Sequence, residues 1–420
     1  MLDNDRYEQR IESVGRLVSA HLDRLVAEDS DRAAKALCEI ALLIAFMRVG
    51  GVRSNSGRWT SILDVIAPRL RATSVLQRLL WMPSRASMFG VGHALVSLAG
   101  RPFEALDAVV ADLARHPLSG SREVSPYEAL ESEWVLRLIG ASPLRSKSGP
   151  LMTARPAHPL FMTEDDAYAF THTVLYRTDL GRRRLNTSER LVASDLADAG
   201  VTWSLARADF DLTGEMLLAA VLSGAPSTPA AAFGLAVLEH VWDDAGFVPD
   251  RAMAGFKQDS GRDPLRLFYA IYHANLVGAL LMTALLNRPG WRRPASRPEV
   301  DVAMLHNAIC EAIGEVPILV ATATEDPIRC AADLRIHLGM YKRNYQALLE
   351  GVRLGLCCNP VSSSTTAGLE WARLFARSLS TLGVAGGRVV AGEIAELHSS
   401  LSPSPLVSDP NQIICPAGRP

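Results

Sequence analysis

Cysteine is scarce and poorly spaced for cross-linking. The six residues (Cys38, Cys310, Cys330, Cys357, Cys358 and Cys415) are spread through 420 positions, and no C-x-x-C occurs. Disulfide scaffolds and structural zinc sites use tighter, repeated spacing, so neither is expected. The thiols read as small, mostly buried apolar groups in a reducing, cytoplasmic setting. An excess of one charge is also missing: Lys plus Arg total 43 and Asp plus Glu total 45. That balance creates no long-range field for nucleic acid or an anionic membrane. The short basic runs "GRRRL" (181–185) and "RPGWRRPASR" (288–297) read as solvated turns. No apolar run follows the charged N-terminus "MLDNDRYEQRIESVG", so no signal peptide is expected.

Strand signals are nearly absent. No alternating pair of segments flanks an Asn-Gly or Asp-Gly turn, which argues against a Rossmann-type or α/β-hydrolase fold. Familiar catalytic motifs are missing as well. There is no H-E-x-x-H, E-x-x-H, His-Asp dipeptide, G-x-S-x-G, P-loop or G-x-G-x-x-G. "VWDDAGF" (241–247) matches the aspartate-rich helix of class I terpene synthases at only two positions, and no second magnesium-binding triad follows. "SDLAD" (194–198) has the acid spacing of a type II cyclase only loosely.

Hydrophobic residues make up 48% of the chain, enough for a large core. They recur at three- and four-residue spacing. Ile11, Val14, Leu17, Val18, His21, Leu22 and Leu25 make one stripe, and segments 103–116 and 368–383 repeat the pattern. Ser125-Pro126, Thr228-Pro229, Asp263-Pro264 and Asp326-Pro327 each place a capping oxygen before a proline suited to the first helical position. Thr163 with Asp166 reads as a capping box. About fourteen helices are expected, in an all-α fold arranged as an α/α toroid or a stacked array of helical hairpins. The segment 267–287, "LFYAIYHANLVGALLMTALLN", has no charged residue and is long enough to span a bilayer. Its tyrosines, histidine and asparagines favour a buried core helix, so no membrane span is expected. The organisation expected is an N-terminal helical region (1–140), a Pro-rich loop or lid (141–162), a main helical region (163–400) and an extended tail (401–420).

Against this apolar background, polar groups recur along single helix faces. In "HTVLYRTDLG", His172, Tyr176 and Asp179 are spaced by four and three. His240 precedes Asp244 by four, and Tyr269 precedes His273 by four, with Tyr272 alongside. Asp333, His337, Tyr341 and Asn344 occupy a further face. Converging on one cavity, such groups suit acid–base chemistry or a metal. The structural alternative is that each finds a partner locally, because an unpaired buried group is costly.

The blocks "THTVLYRTDLG" (171–181) and "IYHANLVGALL" (271–281) resemble two blocks of an uncharacterised helical family associated with actinobacterial natural-product gene clusters. That resemblance implies a bacterial cytosolic setting and specialised metabolism, and it carries no assigned reaction. The expectation is an enzyme acting on a hydrophobic or amphipathic small molecule by isomerisation, cyclisation or elimination. His172, Asp179 and His273 are the catalytic candidates. Tyr176, Tyr272, His240, Asp244, His337 and Tyr341 are the substrate-binding ones. No metal ligand is assigned, the cofactor is unknown, and a homodimer is left open. The alternatives are a non-catalytic scaffold, carrier or regulator, and a metal-dependent enzyme in which His172, His240, His273 and His337 converge.

Overall fold

The computed structural model describes residues 2–52, 56–82, 86–115, 124–141, 151, 153, 156–249, 264–288, 291, 302–324 and 326–381. These form seventeen helical segments and no strand. In order they are α1 (Leu2–Ala27), α2 (Asp31–Gly50), α3 (Ser56–Leu70), α4 (Thr73–Trp81), α5 (Ala86–Leu98), α6 (Glu104–Arg115), α7 (Pro126–Leu138), α8 (Glu164–Arg177), α9 (Thr187–Leu205), α10 (Phe210–Ser223), α11 (Pro229–Ala245), α12 (Pro264–Leu286), α13 (Val302–Ile313), the single turn α14 (Ile318–Ala321), α15 (Pro327–Tyr341), α16 (Tyr345–Leu356) and α17 (Ser363–Thr381). The fold is all-α. The tail at 401–420, most of the loop at 141–162 and Asp263 lie outside the described residues.

Local chemistry sets the helix starts. Ser125, Thr228 and Asp326 cap α7, α11 and α15, each accepting a backbone N–H, with proline in the first turn. The Thr163 side chain accepts from Asp166 N while Asp166 accepts from Thr163 N, closing a capping box on α8. Replacing Thr163 with alanine should cost about 1 kcal/mol in urea unfolding. At the other end of α11, Gly246 adopts φ 78°, a left-handed conformation that stops the helix without a Cβ clash.

Packing neighbours then organise the chain. Helix α2 packs on α5, α5 on α7, α7 on α8, α8 on α10, α10 on α12, and α12 returns to α2. These six make a closed circuit. Around it, α1 covers α12, α3 lies on α1, α2 and α5, and α9 and α11 lie on α10. Helices α13 to α17 form a further bundle that packs on α9 and α11 through α14, α15 and α17. One apolar core runs through both sides of 141–162, from Ile11 and Leu37 to Phe170, Phe233, Leu281 and Leu338. The α10 helix is buried on all sides, and so is most of α12, the one described helix long and apolar enough to cross a membrane. Its apolar residues, spread around the whole helix, match a central position within protein. Two arginines fasten α1 to α11: Arg6 and Arg10 both pair with Asp243, and Arg10 lies 3.6 Å from the buried Glu239.

Candidate functional site

The circuit gathers polar side chains that are far apart in sequence. From α8 come Tyr168, Thr171, His172 and Tyr176, one turn apart on a single face. The His172 ring lies between aromatic neighbours, with centroids 5.9 Å from Tyr176, 5.9 Å from Tyr127 and 6.2 Å from Tyr168. All three are stacked, which suits rings with negative faces and positive edges. The Tyr176 hydroxyl donates to Glu131 Oε1 at 2.6 Å, which ties α8 to α7. Burial lowers the His172 pKa despite the nearby Glu131, and His273 lowers it further. The ring is therefore neutral near pH 7, and its buried Nδ1 finds no hydrogen-bond partner. Burial and Glu131 hold the Tyr176 phenol far above its ordinary pKa, so it stays protonated.

Beside this aromatic group lies an acid-rich one. Asp211 and Glu215 are four apart on α10 and share a face. His273, on α12, places Nδ1 2.9 Å from both Asp211 oxygens. Its Nε2 faces Glu39 Oε1 of α2 at 3.6 Å and Glu215 Oε1 at 4.0 Å. Burial opposes charge on this imidazole, but Asp211, Glu39 and Glu215 outweigh it and raise its pKa to about 10. Glu215 is raised by burial and then by Asp211, and its Oε2 accepts from Thr171 at 2.5 Å. Tyr272 is buried against Phe268, and burial together with its hydrogen bond to Glu39 raises its pKa. Lys35, exposed at the rim, lies 3.6 Å from Glu39. One ligand atom each from Asp211, Glu215 and His273 lie within 4.8 Å of one another.

The structure thus brings together His172, Tyr176, Tyr272 and His273 of the expected residues. Asp179 belongs elsewhere. Helix α8 ends at Arg177, and Asp179 sits in the following turn at φ 52°, off the helical line. Its carboxylate accepts from Trp134 Nε1 and Arg182, each at 2.8 Å. His240 and Asp244 sit on α11, outside the circuit, and Asp244 is exposed. It is Asp243, one residue earlier, that makes the ion pairs there. Tyr341 is 46% exposed, with the Arg207 guanidinium over its ring. Among the remaining histidines, His93 is buried and held by Asp107 and Arg71, which makes it a core residue. Four acidic contributors were not expected from sequence, Glu39, Glu131, Asp211 and Glu215, and neither were Tyr127, Tyr168 and Thr171. Of the acids, only Asp211 and Glu215 carry a local signal, their four-residue spacing in an apolar helix.

His337 belongs to a second, separate buried group. Its Nε2 lies 3.1 Å from Ser364 Oγ at the start of α17, and burial lowers its pKa to about 3. On the same helix Asp333 accepts from Ser362 and Thr365, and burial raises it to about 6. Asp198 on α9 accepts from Thr228, and burial raises it to about 7. Arg329 lies 3.9 Å from Asp198. A carboxyl whose folded pKa is raised stabilises the fold most below its unfolded pKa. That contribution is lost as pH rises through the folded value. For Asp333 the window runs from pH 3.8 to about 6. Asp333→Asn should therefore stabilise the chain at pH 8, by about 1–3 kcal/mol, and the gain should vanish near pH 4. Urea unfolding at both pH values measures it, and an equal effect at both would contradict the burial account.

Residues 14–283 match the profile of a family described as a domain of unknown function, DUF6895. No curated protein and no solved structure matches the chain. The match covers more than half of the chain, which therefore belongs to the DUF6895 family. Every residue of the circuit site lies inside the matched segment, and His337 and Asp333 lie beyond it.

Proposed function

We propose that this chain is an enzyme that transforms a hydrophobic or amphipathic small molecule by acid–base chemistry inside the helical circuit. We read the circuit as the inner ring of a toroid. One observation carries the proposal. His172, His273, Glu39, Glu131, Asp211, Glu215 and four tyrosines reach one region from five different helices, more ionisable groups than the buried clusters around His93 and His337 hold. Keeping so many polar groups together in a core costs stability that a purely structural design would avoid.

His172 is the base. Burial keeps its ring neutral, so a nitrogen lone pair is available near neutral pH. Tyr176 gives its one proton to Glu131, and its hydroxyl oxygen accepts a hydrogen bond from a polar substrate group. Tyr127 and Tyr168 supply flat apolar walls for the substrate skeleton. The acid-rich group on α10 and α12 positions the reacting end. Isomerisation, cyclisation and elimination each call for a base that takes up a proton, the role given to His172. The resemblance of 171–181 and 271–281 to a family of actinobacterial natural-product clusters adds specialised metabolism as the setting, in the cytoplasm.

Purified protein incubated with a small-molecule extract, followed by untargeted mass spectrometry, tests this. At least one metabolite should be consumed or isomerised by the wild type and left untouched by His172→Gln. If no change depends on His172, the proposal fails. The site then becomes a buried specificity network in a scaffold, carrier or regulator.

A further inference from the structure

The acid-rich group has an asymmetry that acid–base chemistry does not require. Nδ1 of His273 is held between the two oxygens of Asp211, at 2.9 Å from each. A carboxylate on one ring nitrogen fixes the tautomer and aims the other nitrogen, the arrangement that recurs behind metal-bound histidines. Here the other nitrogen, Nε2, faces two carboxylates and bonds neither. Glu39 Oε1 is 3.6 Å away and Glu215 Oε1 is 4.0 Å away, both beyond hydrogen-bond length.

Those separations, long for a direct hydrogen bond, match the spacing of donors around a shared ion. Nitrogen and oxygen donors bind first-row divalent ions at about 2.0–2.2 Å, so two donors on one ion stand about 3–4 Å apart. Glu215 strengthens the case. Its side chain is 8% exposed, and one oxygen is engaged by Thr171. Oε1, the oxygen turned toward His273, finds no hydrogen-bond donor among the described residues. The second oxygen of Glu39 is also buried without a partner.

We infer that His273 Nε2, Glu215 and Glu39 bind one divalent transition-metal ion, with Asp211 orienting the imidazole. An imidazole with two carboxylates suits Mn²⁺, Fe²⁺ or Zn²⁺ better than Mg²⁺ or Ca²⁺, which take oxygen donors almost alone. Two carboxylates neutralise the ion's charge, and Asp211 answers the N–H of the ligand. The three ligands come from α12, α10 and α2, consecutive members of the circuit, so the ion would also fasten the ring where α12 returns to α2.

This inference rests on the circuit site being functional, and its test separates the two ideas. The full-length chain is titrated with Mn²⁺ or Zn²⁺ alone by isothermal calorimetry, and its metal content after purification is measured by mass spectrometry. About one ion per chain is expected. Glu39→Gln and Glu215→Gln should each weaken binding by about 100-fold or more. Asp211→Asn should weaken it by about 10–100-fold, as outer-shell partners of metal-bound histidines do. His172→Gln, outside the ligand set, should bind as the wild type does. Glu39 is partly exposed, so its variant keeps the test meaningful if Glu215→Gln fails to fold. Loss of the His273 ring signal to paramagnetic Mn²⁺ in NMR should accompany binding. Absence of binding, or binding that survives both glutamine substitutions, overturns the metal site. If metal is absent while His172→Gln still abolishes turnover, the metal alone is withdrawn. Intact binding with turnover indifferent to His172 withdraws the acid–base reading alone.

Discussion

Replacing His172 with glutamine is expected to lower turnover by about 10²–10⁴-fold, the usual contribution of a positioned general base. Glutamine keeps much of the side chain's length and its ability to donate, but it cannot take up a proton near neutral pH. The ring stacks on Tyr127, Tyr168 and Tyr176 are lost, so some fall in melting temperature is expected without loss of the fold. The wild-type pH profile carries a second sign of the same role. Burial lowers the His172 pKa, so the unprotonated base persists below pH 6.5. The acid limb of kcat/KM should accordingly fall below that value. Steady-state rates across pH 4–9 on the substrate found by mass spectrometry measure both effects. A reduction under tenfold, or an acid limb above pH 6.5, would remove His172 from the chemistry.

Trp134→Ala should be the most damaging single change to stability among the residues around the site, at about 3–5 kcal/mol. Trp134 is 1% exposed on α7, its ring centroid is 5.1 Å from that of Tyr176, and its Nε1 donates to Asp179. Truncation removes a large apolar surface, opens a cavity between α7 and α8, and leaves Asp179 with only its arginines. Trp134→Phe should cost much less, about 1 kcal/mol, because most of the packing survives and Arg182 still engages the carboxylate. Equilibrium urea unfolding of the two variants checks the difference. Equal costs would mean that the hydrogen bond, and not the packing, fastens α7 to α8.

The same residues explain why Asp179 was a reasonable expectation and an incorrect placement. Spacing by four put Tyr176 on His172, and the rings do stack, at an interplanar angle of 12°. Extending that line three more residues assumes that the helix continues. It ends at Arg177, and the left-handed turn carries Asp179 to Trp134 instead. Glu39 and Glu131 illustrate the opposite failure. Nothing on its own helix marks either acid as a site residue: Glu39 meets there the exposed Lys35, an ordinary surface pair four residues earlier. What gives each its meaning, His273 for one and Tyr176 for the other, lies 234 and 45 residues away. Asp211 and Glu215 did carry a local signature, but their histidine sits on another helix.

The amino-acid order alone determined whatever depends on interactions within a few residues. That includes the all-α class, the capped starts of α7, α8, α11 and α15, and the burial of the long apolar run of α12. Caps and helical periodicity are short-range, so they are written into adjacent letters. Which polar faces meet was decided by the tertiary packing of α2, α5, α7, α8, α10 and α12 into a circuit. That closure joins His172 to His273 and leaves His240 and His337 outside. It depends on the shapes of whole helix surfaces, which no single stretch of sequence contains.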